Sequence, residues 1–140
     1  VPLRPEWQVD ADLAPPVGIP AGHRFLDLGD DAFTRGRPHP MIDPTLRLDL
    51  LRADLADPRT GVVVLDVVLG LGAHPDPAGA IAEVIDGASV PVVVCLCGTT
   101  GDPQGLTTQA ATLVDAGAHV YLSNAAAARH AAALITGEAL

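Results

Sequence analysis

Three Asp-Pro dipeptides stand where a helical pattern begins, at Asp43-Pro44, Asp76-Pro77 and Asp102-Pro103. An aspartate before a helix can cap its free N–H groups, and proline fits the first helical position because no N–H is needed there. Each dipeptide therefore predicts a helix start, and Gly87, Gly117 and Gly137 supply stops at the other ends. Helices are predicted over 44–56, 77–86, 103–116 and 124–136, with apolar β runs over 24–28, 62–69, 91–96 and 119–122. In the first helix Leu48, Leu51 and Leu55 form one stripe, while Arg47, Asp49 and Arg52 fall off it. Regular alternation of strand and helix implies a parallel sheet with helices on both faces. The expected architecture is a three-layer α/β/α domain with a parallel sheet of four to five strands.

The residues supplied for the core fit that architecture. Hydrophobic residues make up 49% of the chain but aromatic ones only 3%, so small aliphatic side chains must pack closely between layers. The 140 residues suffice for one domain, expected over 23–140. Residues 1–22 are rich in proline and acidic groups without a sustained period, and read as a linker or arm. From a start at Val1 rather than Met, an excised or processed piece of a longer polypeptide is expected. No apolar run approaches the roughly 20 residues that span a bilayer.

Charge and cysteine usage narrow the chemistry. The net charge is −9 and every basic residue is Arg, so nucleic-acid and anionic-membrane partners are not expected. The absence of Lys excludes Schiff-base chemistry and a lysine-dependent P-loop within these residues. Cys95 and Cys97 share one side of a β run and read as reduced core thiols of a cytoplasmic protein, with no further ligands for a metal.

In an open α/β sheet, ligands bind beyond the carboxyl ends of the strands. The best candidate loops are Gly70–Pro75 and Gly98–Pro103, whose Gly70, Gly72, Gly98 and Gly101 allow close backbone approach, with hydroxyls from Thr99 and Thr100. Asp76 and Asp102 have two readings, as ligand-side residues or as plain helix caps that would repel a phosphate. His74 is a candidate general acid, a phosphate contact, or a loop residue packed under Pro75. The long segment 34–44 holds Arg35, Arg37 and His39, which can clamp a carboxylate or phosphate. Its competing reading is a surface loop whose arginines pair with Asp30 and Asp31.

The runs FLDLGDDAFTRGRPHPMIDPTLR, VVLGLGAHPDPAGAI and PVVVCLCGTTGDPQGL resemble the carboxyl-terminal part of FdrA-like proteins, relatives of succinyl-CoA synthetase. The resemblance covers residues 22–135 and implies a flavodoxin-like CoA-ligase domain. It also implies acid-CoA ligase chemistry in a larger assembly with CoA-binding and nucleotide-grasp domains, CoA or a nucleotide being bound elsewhere in it. Gly70, Gly72 and Asp76 match the place where such domains aim a helix at a phosphoryl group, with Gly98 and Thr99 at the neighbouring turn. The segment after Cys97 lacks the Gly-His-Ala-Gly histidine of the phosphorylated type of ligase domain. The likeness is therefore to the half that faces another domain's phosphohistidine, and activity in isolation is not expected. A second reading is a non-catalytic domain that docks or forms homo-oligomers through the alanine-rich 124–134 helix.

Overall fold

A computed structural model describes residues 23–137. The arm expected over 1–22 lies outside the described residues. Three parallel strands, β1 (Val63–Val68), β2 (Val92–Cys97) and β3 (His119–Tyr121), lie in the order β1-β2-β3. Val63 pairs with Val92, and Val93 pairs with His119. Around them run a short helix α1 (Asp31–Thr34) and four longer ones, α2 (Thr45–Ala56), α3 (Pro77–Ile85), α4 (Leu106–Asp115) and α5 (Asn124–Thr136). The predicted α/β architecture thus holds.

Strand alternation divides the core in two. Val63, Val67, Val92, Val94 and Leu96 point to the face covered by α2, α3 and α4, where Leu51, Ile81, Ile85 and Leu113 complete one cluster. Val93 and Cys95 point to the other face and pack on Ala127 and Ala131 of α5. The stripe of α2 behaves as expected, with Leu51 buried and Leu48 and Leu55 packed beside it.

Cys95 is buried as expected, but Cys97, at the carboxyl end of β2, is exposed rather than part of the core, and three further expectations need correction. First, no strand forms over 24–28, where only an isolated bridge appears at Phe25, so the described sheet has three strands rather than four or five. The outer edge of β1 is used differently: Arg47 donates to the Asp66 carbonyl, an acceptor that a further paired strand would need. Arg47 is accordingly drawn toward the sheet rather than held off the packed face, and burial pushes its guanidinium pKa down, Asp66 partly opposing.

Second, α4 starts at Leu106 and not at 103. Asp102 spends its carboxylate on the amide and hydroxyl of Thr99, and Gly105, at φ 76°, interrupts the backbone before the helix begins. Third, Asp43 is not the N-cap of α2. Pro44 holds that position, and Asp43 accepts from the amide and hydroxyl of Thr45 from one residue further back. Asp76 caps α3 as expected, and Gly87, Gly117 and Gly137 all adopt positive φ at helix ends.

Candidate functional site

Three loops meet at the carboxyl ends of the strands, and two residues join them. Gln104, just ahead of α4, accepts from the Gly70 amide at 3.1 Å and donates to the carbonyls of Gly70 at 2.8 Å and His74 at 3.2 Å. The His74 amide in turn donates to the Met41 carbonyl at 2.6 Å, which brings the Arg-rich 34–44 segment to the same rim. Gly98 completes the junction, since a Cβ there would stand 2.9 Å from Leu69 Cβ and Cδ1. The glycine loops therefore form a single rim.

Within the 70–76 loop, Gly70 and Gly72 take positive φ of 148° and 82°, conformations that side chains oppose. A Cβ at either would meet open space, so backbone conformation rather than crowding requires glycine. Leu71 between them is 93% exposed. The base of the loop is bonded and its tip faces solvent.

His39 and His74 share one local design. Each precedes a proline, and each ring Nδ1 accepts the amide two residues on, from Met41 and Asp76 respectively, both at 3.1 Å. That assignment puts the proton of the neutral ring on Nε2, making each imidazole a donor there. His39 Nε2 lies over Gly29, where a Cβ would come within 2.6 Å. Met41 links the two turns by giving its amide to His39 and its carbonyl to His74.

The first turn of α3 is internally satisfied. Gly79 N–H donates to Asp76 at 3.0 Å, Ala78 N–H to Gln109 at 2.8 Å, and Gln109 also donates to the Asp76 carboxylate at 2.9 Å. Gly79 leaves room for that carboxylate, which a Cβ would displace. The Gln109 bond, followed by the Gly79 amide, holds the Asp76 carboxyl below its ordinary value of 3.8, against a smaller opposing effect of burial. The capping reading of Asp76 thus describes what its side chain does here. Asp102 likewise closes its own turn, with the Gly101 amide donating to the Thr99 hydroxyl at 3.2 Å.

By contrast, α4 has no side-chain cap. Arg35 and Arg37 are exposed, and among the described residues neither joins an ion pair with Asp30 or Asp31. Asp30 instead caps α1 through the Ala32 amide. A cleft of about 370 Å³ lies at the opposite, amino end of the strands, lined by Leu55, Asp57, Pro58, Ser89 and Pro91. Among the described residues its lining holds no Arg, Lys or His, so it offers an anion no cation, and its one carboxylate, Asp57, is bound by Arg59, which holds its pKa at about 2.

Gln104 and Gln109 were not among the residues singled out by sequence reasoning. For Gln109 a signal existed: it stands on the stripe of Leu106, Ala110 and Leu113, and a polar residue in an apolar stripe must find buried partners. Gln104 carried no such mark, because its partners lie 30 and 34 residues away.

Comparison with known proteins agrees with the architecture. The chain is 43% identical over 104 residues to the uncharacterized protein YahF of Escherichia coli (strain K12), a match spanning 68% of this chain and 20% of that protein. The chain thus corresponds to about a fifth of that relative. A family model described as CoA-ligase matches residues 19–134. With most of its length matched and its parallel sheet and helices consistent with such a domain, the chain belongs to the CoA-ligase family.

Proposed function

We propose that this is the CoA-ligase domain of an FdrA-like, acyl-CoA synthetase-type protein that binds a phosphorylated or acyl-CoA-type metabolite at the carboxyl rim of its sheet. It works in the cytoplasm beside CoA-binding and nucleotide-grasp domains that complete the reaction. The observation carrying this reading is the joining of the three loops by Gln104 and by the His74–Met41 bond. A ligand seated there meets several donors at once, which no single loop could present.

Because the amides of Ala78 and Gly79 are occupied, the negative charge of the ligand falls to Arg35, Arg37 and the Nε2–H of His74. The α3 dipole still points to the rim and favours negative charge. His74 acts in this reading as a proton or hydrogen-bond donor, since its Nδ1 lone pair is engaged by Asp76 N–H. A neutral imidazole protonated at Nε2 is a poor nucleophile at that atom, which suits a domain facing a phosphoryl group carried by another.

Docking through small residues of α5 is less well supported, because Ala127 and Ala131 are already buried against the domain's own sheet. Titration of the full chain with inorganic phosphate and with CoA, followed by amide chemical shifts, tests the proposal. Arg37→Ala and His74→Ala should each weaken binding by about 10- to 150-fold, the scale of one charge-assisted hydrogen bond of about 1.5–3 kcal/mol. Titration curves identical to those of the unsubstituted chain would sink it.

A further inference from the structure

We infer that Gln104 is a positioning residue: it holds the 70–74 loop in a binding-ready shape without itself contacting the ligand. The inference rests on the proposed rim site and names what sets its geometry. Both the amide and the carbonyl of Gly70 are bound by one side-chain amide, which also takes the carbonyl of His74. Gly70 itself has positive φ, and between these points stand a second positive-φ glycine, Gly72, and an exposed leucine, Leu71. Backbone this permissive has many alternatives when free, so the three bonds select one of them.

The polarity of the amide is essential to this task. The three bonds need one acceptor and two N–H donors, which a single planar side-chain amide supplies from one end, while the Gly70 carbonyl also accepts from the Ala73 amide at 3.3 Å. Gln104 also stands immediately before Gly105 and the uncapped start of α4. Its side chain therefore fixes the distance between the glycine loop and the next helix opening. Gln109 secures the following segment through Ala78 and Asp76, so the loop has a rigid anchor on its far side.

The test uses the full chain, with inorganic phosphate and CoA as separate probes. In Gln104→Ala, exchange of the Gly70 amide should accelerate by about tenfold, the equivalent of one lost hydrogen bond, and phosphate affinity should fall by about 3- to 10-fold. Gln104→Met keeps the length of the side chain but offers neither the donors nor the amide acceptor, so it should lose Gly70 protection and phosphate affinity as Gln104→Ala does, without adding charge. Leu113→Ala serves as a control that weakens the core away from the loop; below its melting transition it should bind phosphate like the unsubstituted chain.

Unchanged Gly70 exchange in Gln104→Ala overturns the inference. So does unchanged phosphate and CoA affinity, or an equal loss of affinity in Leu113→Ala. If the unsubstituted chain binds neither probe, the rim reading falls instead, and Gly70 exchange alone decides whether Gln104 sets the loop's shape.

Discussion

On the face covered by α2, α3 and α4, Val67, Ile81, Leu96 and Leu113 are sealed from solvent, whereas on the α5 face β1 leaves Val64 and Val68 exposed at 47% and 37%. Both faces are built from the same strands, whose residues alternate between them. Width accounts for the contrast. A helix is about 10 Å across and strands are spaced about 4.8 Å apart, so one helix covers about two strands. Among the described residues, three helices seal three strands on one face, while α5 is the only helix on the other and leaves a row of β1 exposed.

The α5 face is also chemically looser. His119 and Tyr121 of β3 lie beside His130 of α5, with ring centroids 4.6 and 5.5 Å from it. Among the described residues, neither buried ring nitrogen of His130 has a hydrogen-bond partner. Such a group lowers stability, because water's hydrogen bonds are lost and not replaced. Asn124 gives this face one polar tie, donating to the Asp66 carboxylate at 2.9 Å. The face with one helix thus combines shallow packing with an unsatisfied polar ring.

Truncations of matched burial would break this contrast most directly. Leu113→Ala should cost about 3–4 kcal/mol in denaturant unfolding, because it opens a cavity among layers that cannot close. Val93→Ala, equally buried but on the α5 face, should cost about 1–2 kcal/mol, as fewer methyl groups are lost and α5 can settle inward. Equal losses would show that the α5 face, which loses fewer methyl groups, is the more rigid of the two.

A smaller effect of opposite sign is expected at His130. His130→Leu should raise stability by about 1 kcal/mol, measured as a shift of the urea midpoint at constant slope, because it removes two buried polar atoms with no partners. A loss of stability would mean that ring contacts with His119 and Tyr121 outweigh the unsatisfied nitrogens. The least effect belongs to Val64→Thr, an exposed position on β1, which should change stability by less than about 0.5 kcal/mol. A larger loss would reveal that the uncovered row is packed after all.

Much of the frame was legible locally. Alternation predicted the parallel sheet, and the leucine stripe of α2 correctly named Leu51 as its buried face. Asp76-Pro77 marked the start of α3 because cap and helix are separated by only a few residues. The same dipeptide misplaced α4, since Asp102 found Thr99 behind it before it could serve a helix ahead. A short polar side chain has local partners on both sides, and the dipeptide alone does not say which is taken.

The candidate rim was only partly legible. Its loops could be placed by the rule that ligands gather at the carboxyl ends of parallel strands, and its glycines by their punctuation. The bonds that make it one structure could not be read in this way. Gln104 to Gly70 spans 34 residues, and Gln109 to Ala78 spans 31.

From residue 44 onward the sequence by itself determined the order of strands and helices, the side of each that is apolar, and the turns that require glycine, because those depend on periodicity and sterics within a few residues. Tertiary structure alone decided that β1 would be an edge strand with Arg47 on its carbonyl, and that Asp76 would be claimed by Gln109. Hydrogen-bond partners of that kind are chosen only when the layers stack, since each buried polar group must take whatever complementary atom the packing brings within about 3 Å.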